Sequence, residues 1–593
     1  MSGAINLENS RIIKDLGLIR DEIQQELFRI LDSIEGPKGI VFENELMIPL
    51  GLIAEFHSLK ERLVQNVFSL NSDPIRTKLK TLIFFVRPKM KMMDHIAKHL
   101  RFHDTEDKSQ KKRCFIYFVP RKTFICEKLL EQAGVKGAAV IREFNLDLIP
   151  LDHDVLTLGL ETSFKEFISG DTSSLYYVSS SVHKLQRFFG LIPDIKYVGK
   201  NGKIAGEMLL RMRRESPIDE NIAPKINHVI FIDRNVDLVT PVITQLTYEG
   251  LIDEMYTIKH SYVELDGSFL GKDNQTKEKY ALNSNDILFE ELRDLNMGEV
   301  GPFLSQKAKK ISQDYNSRHD LQELQEYKVF IGKLPTLQKE HFSLKIHLSI
   351  VEDILNKTKD DDQFRDKIDT EMGILINNIQ ANDTIQNMIY REKPLEDVLR
   401  MLCLQSLVNN DFKSKSFDNF RREILETYGF QHIFTLANLE KIGMFKKSEG
   451  RSKTRFNFNQ LKKSLNLISE NFEETKDISS VFSGYAPITV RLVQKAFSSG
   501  WQGLEDSVFR YLSDGVFGQF SQENDLSNSE QSMISEKRNV CLVFFINGVT
   551  FAEISALRLL SQMQDHSLDY IVATTHIISG KSLIESAYEN FDK

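Results

Sequence analysis

From about residue 35 to 150 the chain alternates short, largely apolar runs with longer runs that are apolar at helical spacing. KGIVF, TLIFFVRP, CFIYFVP and AAVIREFNLDLIPL are of the first kind; IPLGLIAEFHSLKERLVQNVFSL, KMKMMDHIAKHL and TFICEKLLEQAGV are of the second. A strand apolar on both faces must be covered on both, and intervening helices supply the cover. The pattern predicts a doubly wound α/β domain on a parallel sheet.

A second run of this type begins near residue 150, with SLYYVSSSVHKLQRFFG and KIAGEMLLRMRRE as helices and NHVIFIDRNVDLVTP as strand and turn, and then stops. The alternation resumes only near the far end, where NVCLVFFINGVT leads into FAEISALRLLSQM and then DYIVATT. One or two strands cannot hold a sheet, so residues near 150–246 and 475–593 are expected to complete one another around a largely helical insertion.

Within that insertion Tyr327, Phe330, Leu334, Leu337, Leu344, Leu348, Val351 and Leu355 keep a 3-4 spacing over about four heptads, with His341 the only break. Pro335 lies inside the stripe. Proline removes a helical hydrogen bond and clashes with the preceding turn, so the stretch is expected to bend or fold back near Lys333 to Thr336. A long helical hairpin with a deformable tip follows.

Composition narrows the function classes. A hydrophobic fraction of 41% with only 14 Pro and 30 Gly in 593 residues predicts several folded domains. The formal charge of -8 argues against a general nucleic-acid binder, which needs a basic surface to displace counterions. Cys114, Cys126, Cys403 and Cys541 are too scattered for a disulfide framework or a CxxC-type metal site. The start carries charges throughout without an apolar signal core, and no stretch has the 18 or so apolar residues of a membrane span, so membrane contact is expected only through partners.

Tests for chemistry come back structural. Gly580-Lys581-Ser582 follows a strand-like run, but a phosphate loop needs glycine where Thr575 stands. His95, His99 and His103 share an i+4 face, yet HIAKH lacks a metalloprotease glutamate and a charged surface face explains them equally well. Thr550 and Glu553 form a capping-box pattern at a strand-to-helix turn. Arg234 is placed to pair with Asp233 or Asp237. No catalytic residue, metal or cofactor is assigned.

FIDRNVDLVTPVITQLTYEGLIDEMY at 231–256, SGYAPITVRLVQ at 483–494 and FINGVTFAEISALRLLS at 545–561, in this order, resemble the signature segments of the SM family of SNARE regulators. SGYAP and YGFQHIFTLANLEKIG bring the chain nearest to the class C vacuolar protein sorting branch, more like its A-type than its B-type. The resemblance implies a three-domain arch: 1–148 as an α/β domain, 149–246 and 475–593 as the two segments of a second, and 247–360 and 361–474 as the halves of a third. The first of those halves would carry the hairpin.

It also implies a non-enzymatic protein that templates and protects SNARE assembly for fusion at late endosomes, lysosomes or the vacuole, as a subunit of the HOPS or CORVET tether. The hairpin would offer SNARE helices a groove, with Lys333, Pro335, Lys339 and His347 as candidate contacts. A β-propeller and α-solenoid tether subunit would dock on the later half of the insertion, with Arg421, Tyr428, Phe430 and Lys441 as candidates. The protein would be cytoplasmic, held at membranes by these partners. Two alternatives stand beside this reading: a nucleotide-dependent α/β enzyme, and a structural tether subunit without SNARE binding.

Overall fold

The computed structural model describes residues 16–106, 112–219, 221–271, 276–316, 324–359, 362–448, 456–469, 477–498, 500–501, 503–521, 539–563 and 568–589. The chain divides into two compact units, 1–159 and 160–593.

In the first unit five parallel strands run in the order β2-β1-β3-β4-β5: β1 Lys38–Phe42, β2 Val64–Ser69, β3 Thr81–Val86, β4 Arg113–Phe118 and β5 Ala139–Glu143. The expected apolar runs are its strands, and β3 is buried at every position. A short antiparallel pair, β6 Ile149–Pro150 with β7 Val155–Thr157, follows. One helix was read too long. IPLGLIAEFHSLKERLVQNVFSL holds the end of helix Asn44–Ile53, helix Phe56–Glu61 and then β2, which pairs with β1. Val64, Val67 and Phe68 favour a pleated edge, and Leu63, at φ +62, ends the helical path.

Helix Met90–Glu106 carries the three spaced histidines, and here the surface reading gives way. His99 and His103 are buried. His99 Nδ1 accepts from the Ile75 amide at 3.2 Å and Nε2 meets the Asn71 carbonyl at 2.9 Å, so both ring nitrogens are used in fixing a loop.

The second unit is built on strands in the order β12-β8-β9-β13-β14, with β8 Asp194–Val198, β9 His228–Asp233, β12 Phe517–Ser521, β13 Asn539–Ile546 and β14 Leu568–Thr574. β8, β9, β13 and β14 are parallel, and β12 is an antiparallel edge. β9 pairs directly with β13 across an insertion of some 300 residues, so two distant segments form one core. The intervening chain is mostly helix, apart from a ribbon of β10 Tyr262–Asp266 and β11 Lys277–Ala281.

A buried polar cluster joins the three signature segments. Arg234 donates to Glu553 through both terminal nitrogens, at 2.7 and 3.0 Å, and through Nε to the Asp237 carbonyl at 2.9 Å. Its closest ion partner is the capping-box glutamate of another segment, Asp237 is a second and looser one at 3.7 Å, and Asp233 instead accepts from the Asn201 amide. The capping box of Thr550 and Glu553 is present, and Thr489 donates to Glu553 at 2.6 Å. Thr240 donates to Asp237 at 2.5 Å and lies 3.1 Å from the Tyr485 hydroxyl. One guanidinium thus compensates Glu553 closely and Asp237 more loosely, which lowers the cost of burying these groups.

Arg400 performs the matching task for the insertion. It is buried and donates to Glu254 at 2.8 and 3.1 Å and to the Val242 carbonyl at 3.2 Å. A Cβ on Gly580 would lie 2.4 Å from Arg400 Nε. The glycine of the Gly580-Lys581-Ser582 run thus makes room for an arginine, while Ser579 caps the helix that begins there.

Candidate partner-binding surfaces

The first surface is a helical hairpin of Met297–Asn316 and Leu324–Lys359. The second helix does not break or fold back at Pro335. It continues through that residue for 36 residues. Besides crowding the preceding turn, proline withholds its own amide, which leaves the Ile331 carbonyl without its usual donor, and Ile331 is 63% exposed so water can serve it.

The hairpin is asymmetric. Tyr315, near the end of the first helix, meets His341 at 6.3 Å between ring centroids. Residues 324–340 therefore run past the end of the first helix by about 25 Å at 1.5 Å per residue. The tightly buried face lies beyond them, at Leu344, Ile346, Ile350, Val351 and Ile354, so the expected stripe is only partly the packing face. Leu337, Leu344 and Val351 are buried, whereas Leu348 is exposed; the Tyr327 side chain lies outside the described residues.

On the projecting stretch Ile331 is an exposed apolar side chain, Phe342 is another at its root, and Pro335, Gln338 and Lys345 are exposed on the same side. These five fall within about 80° of one another at 100° per residue. Of the residues picked from sequence, Pro335 lies on this face and Lys339 at its margin, both exposed. Lys333 is exposed on the opposite side of the helix. His347 is fully buried and does not face a partner in this conformation. Its Nε2 donates to Asp286 at 3.2 Å, its Nδ1 meets the Tyr248 hydroxyl at 2.8 Å, and Phe289 stacks on its ring.

Asp286 receives far more than this one bond. Its Oδ1 accepts from the Leu288 and Phe289 amides, capping helix Ile287–Leu292, and from Ser343 at 2.7 Å. Its Oδ2 accepts from Tyr280 at 2.7 Å and from Ser343 at 2.8 Å. Burial opposes its ionisation, but the bonds from His347, Ser343 and Tyr280 outweigh burial and hold the carboxyl well below the usual carboxylate range. Sequence reading missed Asp286. Its place before ILFEE signals a helix cap, but nothing local points 61 residues ahead to His347.

The second surface is formed by helices Ser414–Tyr428 and His432–Ile442. Phe417, Phe420 and Ile424 turn inward, while Arg421, Arg422, Leu425, Glu426, Asp418 and Phe430 line an open depression of about 250 Å³. Phe430 is 74% exposed, and Phe434 and Ile433 extend the apolar patch one turn further. Lys441 is exposed in the last helical turn, where a cation suits the carbonyl end. Tyr428 is half-buried and donates to the Lys393 carbonyl at 2.6 Å, so packing occupies its hydroxyl. Ile433 and Phe434 escaped the sequence reading, although their spacing from Phe430 was a usable signal.

The Sec1 family profile matches residues 38–586. Vacuolar protein sorting-associated protein 33A of Rattus norvegicus is 40% identical over 99% of both chains. The vacuolar protein-sorting-associated protein 33 homolog of Arabidopsis thaliana is 37% identical over 98% of this chain and 99% of its own. Among solved structures, the SM protein Vps45 in complex with the Qa SNARE Tlg2 has a TM-score of 0.59 at 15% identity, covering 96% of this chain and 97% of that one. Sly1p in complex with an N-terminal peptide of Sed5p has a TM-score of 0.56 at 15% identity, covering 96% of this chain and 98% of that one. The profile match over nearly the whole sequence and the 40% relative establish that the chain belongs to the Sec1/SM family.

Proposed function

We propose that this protein binds SNARE motifs on the projecting half of its hairpin, aligns them for assembly, and does so as a subunit of a vacuolar or lysosomal tether of the HOPS or CORVET type. The observation that carries this reading is the helix from 324 to Phe342, most of which extends past its partner helix and which presents Ile331, Pro335 and Phe342 on one exposed face. An apolar helical face of this kind accepts another amphipathic helix. SNARE motifs are disordered alone, and ordering them costs several kcal/mol. A scaffold that holds two of them side by side makes pairing effectively intramolecular, at roughly millimolar local concentration. Templating needs no covalent chemistry. The relatives' names, which refer to vacuolar sorting, and the SNARE complexes of the structural neighbours support the same direction.

The patch of Phe430, Ile433 and Phe434, with Arg421 and Lys441, suits docking of the β-propeller and α-solenoid subunit. That attachment supplies the membrane address, since among the described residues no helix is long and apolar enough to cross a membrane. We place the protein at late endosomes, lysosomes or the vacuole.

The deciding experiment is retention of purified endolysosomal SNARE motifs by the full chain. Ile331→Asp with Phe342→Asp is expected to weaken retention at least tenfold with the thermal midpoint little changed, because half or more of each side chain is already exposed. Phe430→Asp with Lys441→Glu is expected to abolish capture of the tether subunit and spare the SNARE motifs. Capture of the tether subunit with no retention of any SNARE motif by the wild-type chain sinks the templating reading and leaves the structural subunit.

A further inference from the structure

We infer that the buried cluster of Asp286, His347, Ser343, Tyr248 and Tyr280 aims the projecting half of the hairpin helix, making His347 and Ser343 positioning residues for the partner-binding face. This rests on the SNARE reading above and names what controls its geometry.

The helix Leu324–Lys359 has two very different halves. From Ser343 onward it is held to the body of its unit. Asp286 gathers six hydrogen bonds, from Ser343 to both oxygens, from Tyr280, from His347 and from the two amides it caps. His347 relays the contact to the Tyr248 hydroxyl on helix Tyr248–Tyr256. A second tie lies further along, where Tyr256 donates to Asp353 and Lys357 pairs with Asp353 at 2.6 Å while sitting 4.5 Å above the Tyr256 ring. One carboxylate thus joins the root of the projecting helix to a neighbouring helix cap and to the ribbon strand β11.

From Phe342 back to Phe330, by contrast, Leu337 is the one buried side chain among the described residues. The direction of that stretch is set at its root. The distance from Ser343 to the start of the helix is about 29 Å at 1.5 Å per residue, so a root tilt of about 10° displaces the tip by about 5 Å. Adjacent turns of a helix are 5.4 Å apart, so such a shift is enough to take two packed helices out of register.

His347 and Ser343 lie one turn apart on the inner side of the helix and do not reach the exposed face of Ile331 and Phe342. The arrangement therefore separates aiming from contact. Hydrogen bonds to a charged group are stronger than those between neutral groups, which makes the ties strong enough to hold one direction and local enough to be removed singly.

The test places spin labels at Lys333→Cys and Glu264→Cys, both exposed, and reads their distance distribution by double electron–electron resonance. Ser343→Ala is the principal variant, because alanine is the better helix former and any loosening cannot come from loss of helix. His347→Ala is the stronger one, and Ser343→Thr, which keeps the hydroxyl, is the rescue. The expected result is a broadened distribution in both alanine variants, restoration in Ser343→Thr, and SNARE-motif affinity lowered about tenfold in the unlabelled Ser343→Ala chain. A distribution unchanged in Ser343→Ala overturns the inference, as does broadening with unchanged affinity. Should the wild-type chain bind no SNARE motif, the functional reading falls by itself, and the spin-label distances, measured without ligand, still decide whether the cluster aims the helix.

Discussion

Arg234 shows how one side chain can decide the stability of a large unit. Its guanidinium and the Glu553 carboxylate are both fully enclosed, and each is the other's principal compensation. Arg234→Met is expected to lower stability by about 3–5 kcal/mol, because it leaves a buried carboxylate unpaired. Arg234→Met with Glu553→Gln is expected to recover part of that loss, and urea denaturation followed by circular dichroism measures both. A second residue, His576, sets a pH dependence. It is buried beside Ser163 and Thr575, and burial pushes its imidazole down to about 4. An unfolded imidazole takes up a proton near pH 6.5 and the folded one only near pH 4. The unfolded chain therefore binds more protons between these values, and stability falls as the pH is lowered across them, by about 3 kcal/mol in full. His576→Asn is expected to flatten the thermal midpoint over this window relative to wild type.

Among the elements, the helix Leu324–Lys359 departs furthest from its sequence expectation. Pro335 is strongly unfavourable in a helix interior, by about 3 kcal/mol relative to alanine. It is tolerated because the turn it weakens is solvated on the outside and flanked by long helical stretches on both sides. Pro335→Ala is expected to slow amide exchange across residues 331–341, read by hydrogen–deuterium exchange, with little change elsewhere. Unchanged exchange there means the proline imposes no local weakness. The apolar strands were legible because a fully buried parallel strand has no polar positions to confuse its pattern, as in TLIFFV and NVCLVFFI. β2 and β12 were not, because edge strands are half-solvated and their mixed patterns resemble helix or loop. His347 was singled out for its place on the hairpin, but its burial depends on Tyr248, Tyr280 and Asp286, which no local spacing connects to it.

For the whole molecule, the question is how a helical insertion stays fixed to a sheet assembled from two separated segments. Arg400 is a polar tie, reaching the Val242 carbonyl in the α/β part and Glu254 at the start of the insertion, and Glu371 accepts from the Thr244 amide and hydroxyl beside it. Arg400→Met is expected to cost about 3–5 kcal/mol by stranding Glu254. Limited proteolysis should then cut within the insertion well before the sheet strands, whereas equal rates of cleavage throughout mean that Arg400 stabilises the unit without fixing the insertion. By itself the sequence determined the α/β class, the parallel sheets, the helical character of the insertion and, through three motif segments, the family, because buried strands and capped turns write their requirements into neighbouring residues. Only the tertiary structure decided that Arg234 pairs with Glu553, 319 residues away, that His347 turns inward, and that Ile331 and Phe342 face outward. Burial and ion pairing are properties of what folds against a residue, and hydrophobic periodicity reports the side of a helix but not whether anything covers it.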